Sequence, residues 1–417
     1  MPAITRRQLL AATGGGALGL TVGGSGYALG RHEAEGEGQG SVGATIPFHG
    51  PHQAGIATPA QDRLVFGAFD LTLDSAGELR ELLRTWTEAA AAMTAGRSTG
   101  PLTGAPDAPP ADTGEAVGLP AAQLTITFGL GPDVFERGGE DRFGLAARRP
   151  AALTPLGPLP GDQLEPQIGG GDVCVQACAN DPQVAFHAVR NLARVGRGAA
   201  VLRWAQLGFG RTSSTTSDQV TLRNLQGFKD GTNNLHGDDA QAMRQFVWVG
   251  PEEPQSWFRG GTYLVSRRIR MFIEAWDRDT LGDQEHVIGR FKASGAPLSG
   301  KQEHDTVDLS ARDAKGEPVI PINAHIRLAG PASNDGQRIL RRGYSFTDGI
   351  DPVTGELDAG LFFVCFQRDP HSQFAAIQRR LGASDALGEY IQHRSSALFA
   401  IPPGVRPGGY VAEGLFN

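Results

Sequence analysis

Cysteine is scarce: Cys174, Cys178 and Cys365 are the only three in 417 residues. Cys174 and Cys178 lie in the apolar run Asp172-Val-Cys-Val-Gln-Ala-Cys178, which reads as a buried strand. Their separation along a strand is roughly 13 Å, too far for a disulfide, so all three cysteines read as small buried hydrophobes. A Cys-x-x-Cys-His motif is missing, which excludes covalent c-type haem attachment. No His/Cys/Asp cluster has metal-ligand spacing, and Asp277, Asp279 and Asp283 are spaced too irregularly for a helix–loop–helix calcium loop. Lysine is almost absent, confined to Lys229, Lys292, Lys301 and Lys315, a compositional bias to which no function attaches. Positive charge is in deficit: 38 Lys and Arg against 45 Asp and Glu give a net charge of −7. That argues against nucleic acid as a partner, since it needs a concentrated basic face. The stretch Leu9 to Val22 is too short and too glycine-broken to make a stable membrane span.

What remains is the composition of a globular protein, 40% hydrophobic and 20% charged, long enough for two to three domains. Thr5-Arg6-Arg7-Gln8-Leu9-Leu10 places twin arginines before a modestly apolar, glycine-rich stretch ending near Ala28. This predicts a twin-arginine export signal, with the export machinery as a partner and an extracellular or periplasmic, cell-envelope location. Gly26-Tyr27-Ala28 is the candidate cleavage site, and residues 31–45, rich in Gly and Glu, read as a flexible tether.

Two halves emerge downstream. Asp172-Val-Cys-Val-Gln-Ala-Cys is followed by Asp181-Pro182, then Phe186, Ala188 and Val189. Leu361-Phe-Phe-Val-Cys-Phe is followed by Asp369-Pro370, then Phe374, Ala376 and Ile377, at the same spacing. Asp followed by Pro is a good helix start, and in both cases it follows an apolar strand. A further strand–helix unit opens the chain, Leu64 to Asp70 and then Ala76 to Ala95. The pattern predicts an α+β fold made by duplication of a unit with antiparallel sheets, divided into residues 1–45, 46–220 and 221–417. Ser98 to Pro120, rich in Pro and Gly, reads as a long surface loop.

Three places carry chemistry: Gly227-Phe-Lys-Asp230-Gly231-Thr232, His325, and the pair Arg341-Arg342. Each has an ordinary explanation. Lys-Asp-Gly-Thr is a turn signal, His325 in Ala-His-Ile-Arg-Leu suits a satisfied core residue, and paired arginines suit a solvated surface. Together they are the parts that a peroxidase places around a haem iron: an acid to move a proton between peroxide oxygens, a histidine to hold the metal, and an arginine to stabilise charge as the O–O bond breaks.

Gly227-Phe-Lys-Asp230-Gly231-Thr232-Asn233 resembles the glycine-x-x-aspartate-glycine motif of the dye-decolourising peroxidases. Ala324-His325-Ile-Arg-Leu followed by Ile339-Leu-Arg341-Arg342-Gly-Tyr-Ser-Phe346 resembles their proximal-histidine and distal-arginine segment, and Gly360-Leu361-Phe362-Phe363-Val364 their distal-pocket strand. Phe48-His-Gly-Pro-His-Gln53 and Trp276-Asp-Arg-Asp-Thr-Leu-Gly-Asp-Gln-Glu285 also match, so the similarity runs from about Ile46 to nearly the C-terminus. It lies nearest the secreted bacterial branch that includes the deferrochelatase-like members.

The resemblance implies duplicated ferredoxin-like halves of the dimeric α+β barrel type, with one non-covalent haem b per chain held mainly by the second half. It implies His325 as the metal ligand and Asp230 and Arg341 as the catalytic pair, with Arg342 turned away. Gly231, Thr232, Asn233, Gly330, Pro331 and Ala332 would pack near the haem edge and propionates, and Leu361 and Phe363 would wall the distal side. Glu389 is the expected acceptor for the second ring nitrogen of His325. Tyr390, Trp257 and Trp276 are candidates for relaying electrons from bulky reductants. The expected activity is reduction of hydrogen peroxide with oxidation of organic reductants such as dyes or phenols. The alternative is a haem-handling deferrochelatase that releases iron from haem. A third reading, a non-catalytic descendant of the fold, is argued against by the joint presence of Asp230, His325 and Arg341. Oligomerisation is compatible with each.

Overall fold

The computed structural model describes residues 44–417, all within one compact unit. The expected export signal, and all but the last two residues of the expected tether, lie outside the described residues. The first half runs β1 (Arg63–Leu71), α1 (Ala76–Thr94), β2 (Thr125–Leu130), β3 (Val173–Ala179), α2 (Pro182–Val195) and β4 (Ala200–Arg211). The second runs α3 (Ala240–Phe246), β5 (Thr262–Met271), α4 (Ile273–Trp276), α5 (Leu281–Ile288) and α6 (His325–Ala329). It continues through β6 (Leu340–Arg341), β7 (Tyr344–Ile350), β8 (Leu357–Gln367), α7 (Ala376–Ser384), β9 (Ile391–His393) and β10 (Ala397–Ile401).

Local chemistry explains the helix starts. Ser75 and Glu78 cap α1 reciprocally, and Leu79, Leu82, Leu83, Trp86 and Ala90 then recur at helical spacing on its buried face. Asp181 accepts from the amides of Gln183 and Val184 at 2.7 and 3.1 Å, with Pro182 opening α2. Asp369 accepts from the amide of His371 at 2.8 Å and starts a single π turn (His371–Ala375) that leads into α7. The repeated Asp-Pro pair thus marks the same junction twice, from β3 into α2 and from β8 into α7. The three cysteines are free and buried.

All ladder pairings are antiparallel. The first half orders its strands β4-β1-β3-β2 and the second β10-β5-β8-β7, the same permutation of first, second, third and fourth strand. This is the ferredoxin-like arrangement, present twice. β4 pairs with β7, and β2 with β10, so the two sheets close into one ring of eight strands. β6 and β9 extend the edges of β8 and β5. Phe66, Trp204, Leu264, Phe346, Phe362, Phe366 and Phe399, from both halves, fill the ring's interior. Each such side chain contributes about 1.5–3 kcal/mol by leaving water.

The two-residue period of β8 sets the position of the site. Phe362, Val364 and Phe366 enter the interior, so Leu361, Phe363 and Cys365 face outward. Across the ladders their partners are Ile269, Arg267 and Val265 on β5, with Arg341 opposite Cys365 on β6. Arg341 therefore shares the outer face of the second half with Leu361 and Phe363.

Candidate active site

Asp230 closes a tight loop rather than lying in a free turn. Its amide donates to Leu222 O at 3.0 Å, Arg223 bridges to Lys229, and Asn224 bonds Phe228 O at 3.0 Å. Gly231 has φ +101°, and a Cβ there would lie 3.0 Å from the Ser213 backbone, so only glycine fits. Glu303, far along the chain, clamps both flanks of the acid: Lys229 Nζ and Thr232 Oγ1 (3.0 Å) both donate to it. Burial works against the Glu303 charge, but Lys229, Thr221 and Thr232 outweigh it and hold the carboxyl below its ordinary range.

The two arginines part ways. Arg341 Nη1 lies 2.5 Å from Asp230 Oδ1, a charge-assisted hydrogen bond with both side chains largely buried. Arg342 is fully buried on the other face and donates to Thr58 O at 2.6 Å, Pro59 O at 3.2 Å and Gln61 Oε1. A pair that alone reads as solvated surface instead holds the 56–61 segment with one member and the acid with the other. The interior counterpart, Asn234, accepts from Arg341 N and donates to Arg341 O, both at 2.8 Å.

His325 opens α6, its side chain 32% exposed and near enough to Asp230 and Arg341 to feel both charges. Nδ1 bonds Asp385 Oδ2 at 2.6 Å, while among the described residues no hydrogen bond engages Nε2. Burial alone would lower the His325 pKa. The charge and hydrogen bond of Asp385, with the charge of Asp230, outweigh burial and an opposing Arg341, so the net direction is up. The acceptor is thus Asp385, not Glu389. Glu389 ends the short turn Ala386–Glu389 and is exposed, whereas Asp385 caps the start of that turn through Leu387 N at 2.9 Å and is buried.

The donor set suits a haem. An imidazole held by a carboxylate through Nδ1 leaves Nε2 for a metal, and the charges of a carboxylate–arginine pair reach it. Gly330, Pro331 and Ala332 follow α6 directly, and Asn334 Nδ2 bonds Leu328 O and Gly330 O at 2.8 Å to fix that turn. Asn233 is exposed, and Arg338 reaches its carbonyl at 3.4 Å and that of Asn234 at 3.2 Å. That places a guanidinium beside Asn233 and Asn234, able to hold a propionate. Leu361 and Phe363 are only partly buried, and Phe363 packs on Phe374 with ring centres 6.0 Å apart.

Of the aromatic candidates, Tyr390 meets Trp276 edge-on at 4.9 Å, and Trp276 meets Phe228 of the Asp230 loop at 5.9 Å. The Tyr390 hydroxyl donates to Asp279, and that bond, with burial, pushes its pKa up to about 12. Trp257 stands apart, stacked on Phe135 in the first half's core. A cavity of about 240 Å³ is lined by Trp204, Arg268, Asp348, Asp358, Phe362 and Arg394, and Phe362 sets it on the interior face of β8. Among the described residues no group of three or more His, Cys, Asp or Glu is placed to hold a metal ion.

Missed in the sequence were Asp385, Glu303 and Asn234. Asn234 alone had a local signal, four residues after Asp230 in the same polar run.

Two family models match this chain: "Dyp-type peroxidase, N-terminal" over residues 53–210 and "Dyp-type peroxidase, C-terminal" over residues 221–406. A deferrochelatase of Escherichia coli strain K12 is 38% identical over 365 residues, 86% of this chain and 84% of its own length. A DyP-type peroxidase structure from Streptomyces coelicolor is 41% identical with a TM-score of 0.81, covering 89% of this chain and 97% of that one. Ferric DtpA from Streptomyces lividans matches with the same identity and TM-score, covering 90% and 99%.

Proposed function

This chain belongs to the Dyp-type peroxidase family and is a haem-dependent peroxidase, and from that premise we propose how its own residues divide the work. When bound, haem supplies the iron that accepts electrons from a reductant and passes them to peroxide. His325 holds the metal through Nε2, and Asp385, accepting the Nδ1 proton, fixes the tautomer and strengthens the ligand. Asp230 takes a proton from one peroxide oxygen and returns it to the other, which leaves as water, and the remaining oxygen becomes a second water with two electrons from the reductant and two protons. Arg341 stabilises the negative charge that grows on the departing oxygen. Leu361 and Phe363 restrict water on that side. The observation that carries this reading is the 2.5 Å contact of Asp230 with Arg341, a pair whose charges both reach His325. The test is oxidation of a phenol or dye by the haem-loaded protein with hydrogen peroxide. Peroxide-dependent turnover by wild type and its loss in Arg341→Ala are expected, and turnover indifferent to that change would contradict it.

The E. coli relatives named deferrochelatase favour a second reading, release of iron from haem. Product analysis separates the two, since intact porphyrin with free iron supports iron release and an unaltered haem supports the peroxidase alone. Haem b held without a covalent bond is supported by the absence of Cys-x-x-Cys-His, and acidified-solvent extraction of the pigment tests it. Export by the twin-arginine pathway to the envelope or beyond rests on Arg6-Arg7 and the apolar run that follows. Retention in the cytoplasm of an Arg6→Lys, Arg7→Lys variant tests it. Self-association is read by light scattering of the loaded protein.

A further inference from the structure

We propose that Asn234 is a positioning residue that holds Arg341 at its working distance from Asp230; the proposal rests on the peroxidase reading above. Arg341 ends a strand only two residues long. In this ladder Arg342 N bonds Val364 O of β8 at 2.8 Å, so the N–H and C=O of Arg341 point the other way, where no strand runs. Asn234 fills that edge with its side chain. Oδ1 accepts from Arg341 N at 2.8 Å, and Nδ2 donates to Arg341 O at 2.8 Å and to Ser214 O at 2.7 Å. An amide that faces one N–H and two carbonyls has a single acceptable orientation, since a flip would set donor on donor and oxygen on oxygen. Asn234 is 5% exposed, so water offers no substitute for a lost bond.

The same residue is tied to the acid. Asn234 N donates to Gly231 O at 2.9 Å, closing the turn directly after Asp230. Asp230, that turn, Asn234 and the backbone and guanidinium of Arg341 form a closed loop of contacts. The acid and the arginine, 111 residues apart in the chain, thereby move as one body. The backbone of Asn234 serves the turn, while its side chain reaches the peroxide chemistry by way of Arg341.

The experiment is a double-mutant cycle on the haem-loaded protein, Asn234→Ala and Arg341→Ala singly and together, read by the rate of the haem absorbance change on mixing with peroxide. Asn234→Ala is expected to slow that step by about 10²-fold, the scale of a misplaced catalytic group, and to slow it no further once Arg341 is alanine. Independent, multiplying effects would overturn the proposal. Amide exchange of the segment carrying Arg341, followed by mass spectrometry on the same samples, gives a readout free of turnover. Exchange there should quicken in Asn234→Ala while the β1–β3 ladder stays protected; unchanged exchange at Arg341 would overturn the positioning even if peroxide chemistry were lost. Should the alanine variant not fold, Asn234→Asp keeps the shape and the acceptor for Arg341 N but removes both donors. It is expected to show the same dependence on Arg341, and a loss independent of Arg341 would refute the inference.

Discussion

His325 is held by one short contact from a residue 60 positions away, and that contact carries more of the site's design than its neighbours in sequence. Asp385→Asn preserves volume but withdraws the charge, so haem affinity should fall by about 10- to 100-fold, measured by titrating the protein with haem. Equal affinity in variant and wild type would show that the carboxylate is only a cap. His393 makes the opposite electrostatic argument. It is buried with Nδ1 unpartnered, and burial, then Arg267, pushes its pKa down to about 3. Its folded value lies below the unfolded one, so unfolded chains bind a proton that folded chains refuse. The stability it lends is whole above the ordinary histidine value near 6.5 and drains as pH falls from there toward 3. Urea midpoints at about pH 7 and about pH 5 should therefore diverge less in His393→Gln than in wild type. An equal drop in both would place the acid sensitivity elsewhere.

Among the elements, β5 and β8 approach so closely at Gly360 that a Cβ there would lie 2.0 Å from Ile269 O. Gly360→Ala must push apart the ladder that carries Leu361 and Phe363, at a cost of about 3 kcal/mol or more. Thermal unfolding should show a clear loss, and an unchanged midpoint would mean that the strands can separate freely. Much at this scale was legible in the sequence. The Asp-Pro pairs announced α2 and the turn before α7 because capping is local chemistry, and the alternation of β8 announced which residues face the site. Asp230, His325 and Arg341 could be picked out as candidates because motifs spell them out, and the structure adds the contact between Asp230 and Arg341. Asp385, Glu303 and Asn234 were not, since each acts on residues 60 to 107 positions away and reads locally as a cap, a surface acid or a turn residue. The surface reading of paired arginines failed at Arg342 for the same reason, because its oxygen partners at 56–61 are made neighbours only by the closed ring.

For the molecule as a whole, the two halves meet along thin seams. β2 and β10 share the single register pair Leu130 with Ala400, and β4 and β7 share only Phe209 with Ser345 and Arg211 with Tyr344. What joins them is the apolar interior, to which Phe66 and Trp204 bring one side and Phe362 and Phe399 the other. Produced separately, residues 44–220 and 221–417 should each expose that interior and fail to give native near-ultraviolet circular dichroism, and a native spectrum from either half would contradict a shared core. The duplicated architecture also explains why one half carries the chemistry. The outer face of the first is covered by α1 and α2, whereas the outer face of the second carries Arg341 with Asp230 bonded to it, their charges reaching His325. The most direct test is a stopped-flow comparison of haem-loaded wild type and Asp230→Asn mixed with hydrogen peroxide, following the Soret band. A rapid change in wild type that slows by roughly 10²–10⁴-fold in the variant is the predicted result, and equal rates in both would contradict Asp230 as the residue that moves the proton.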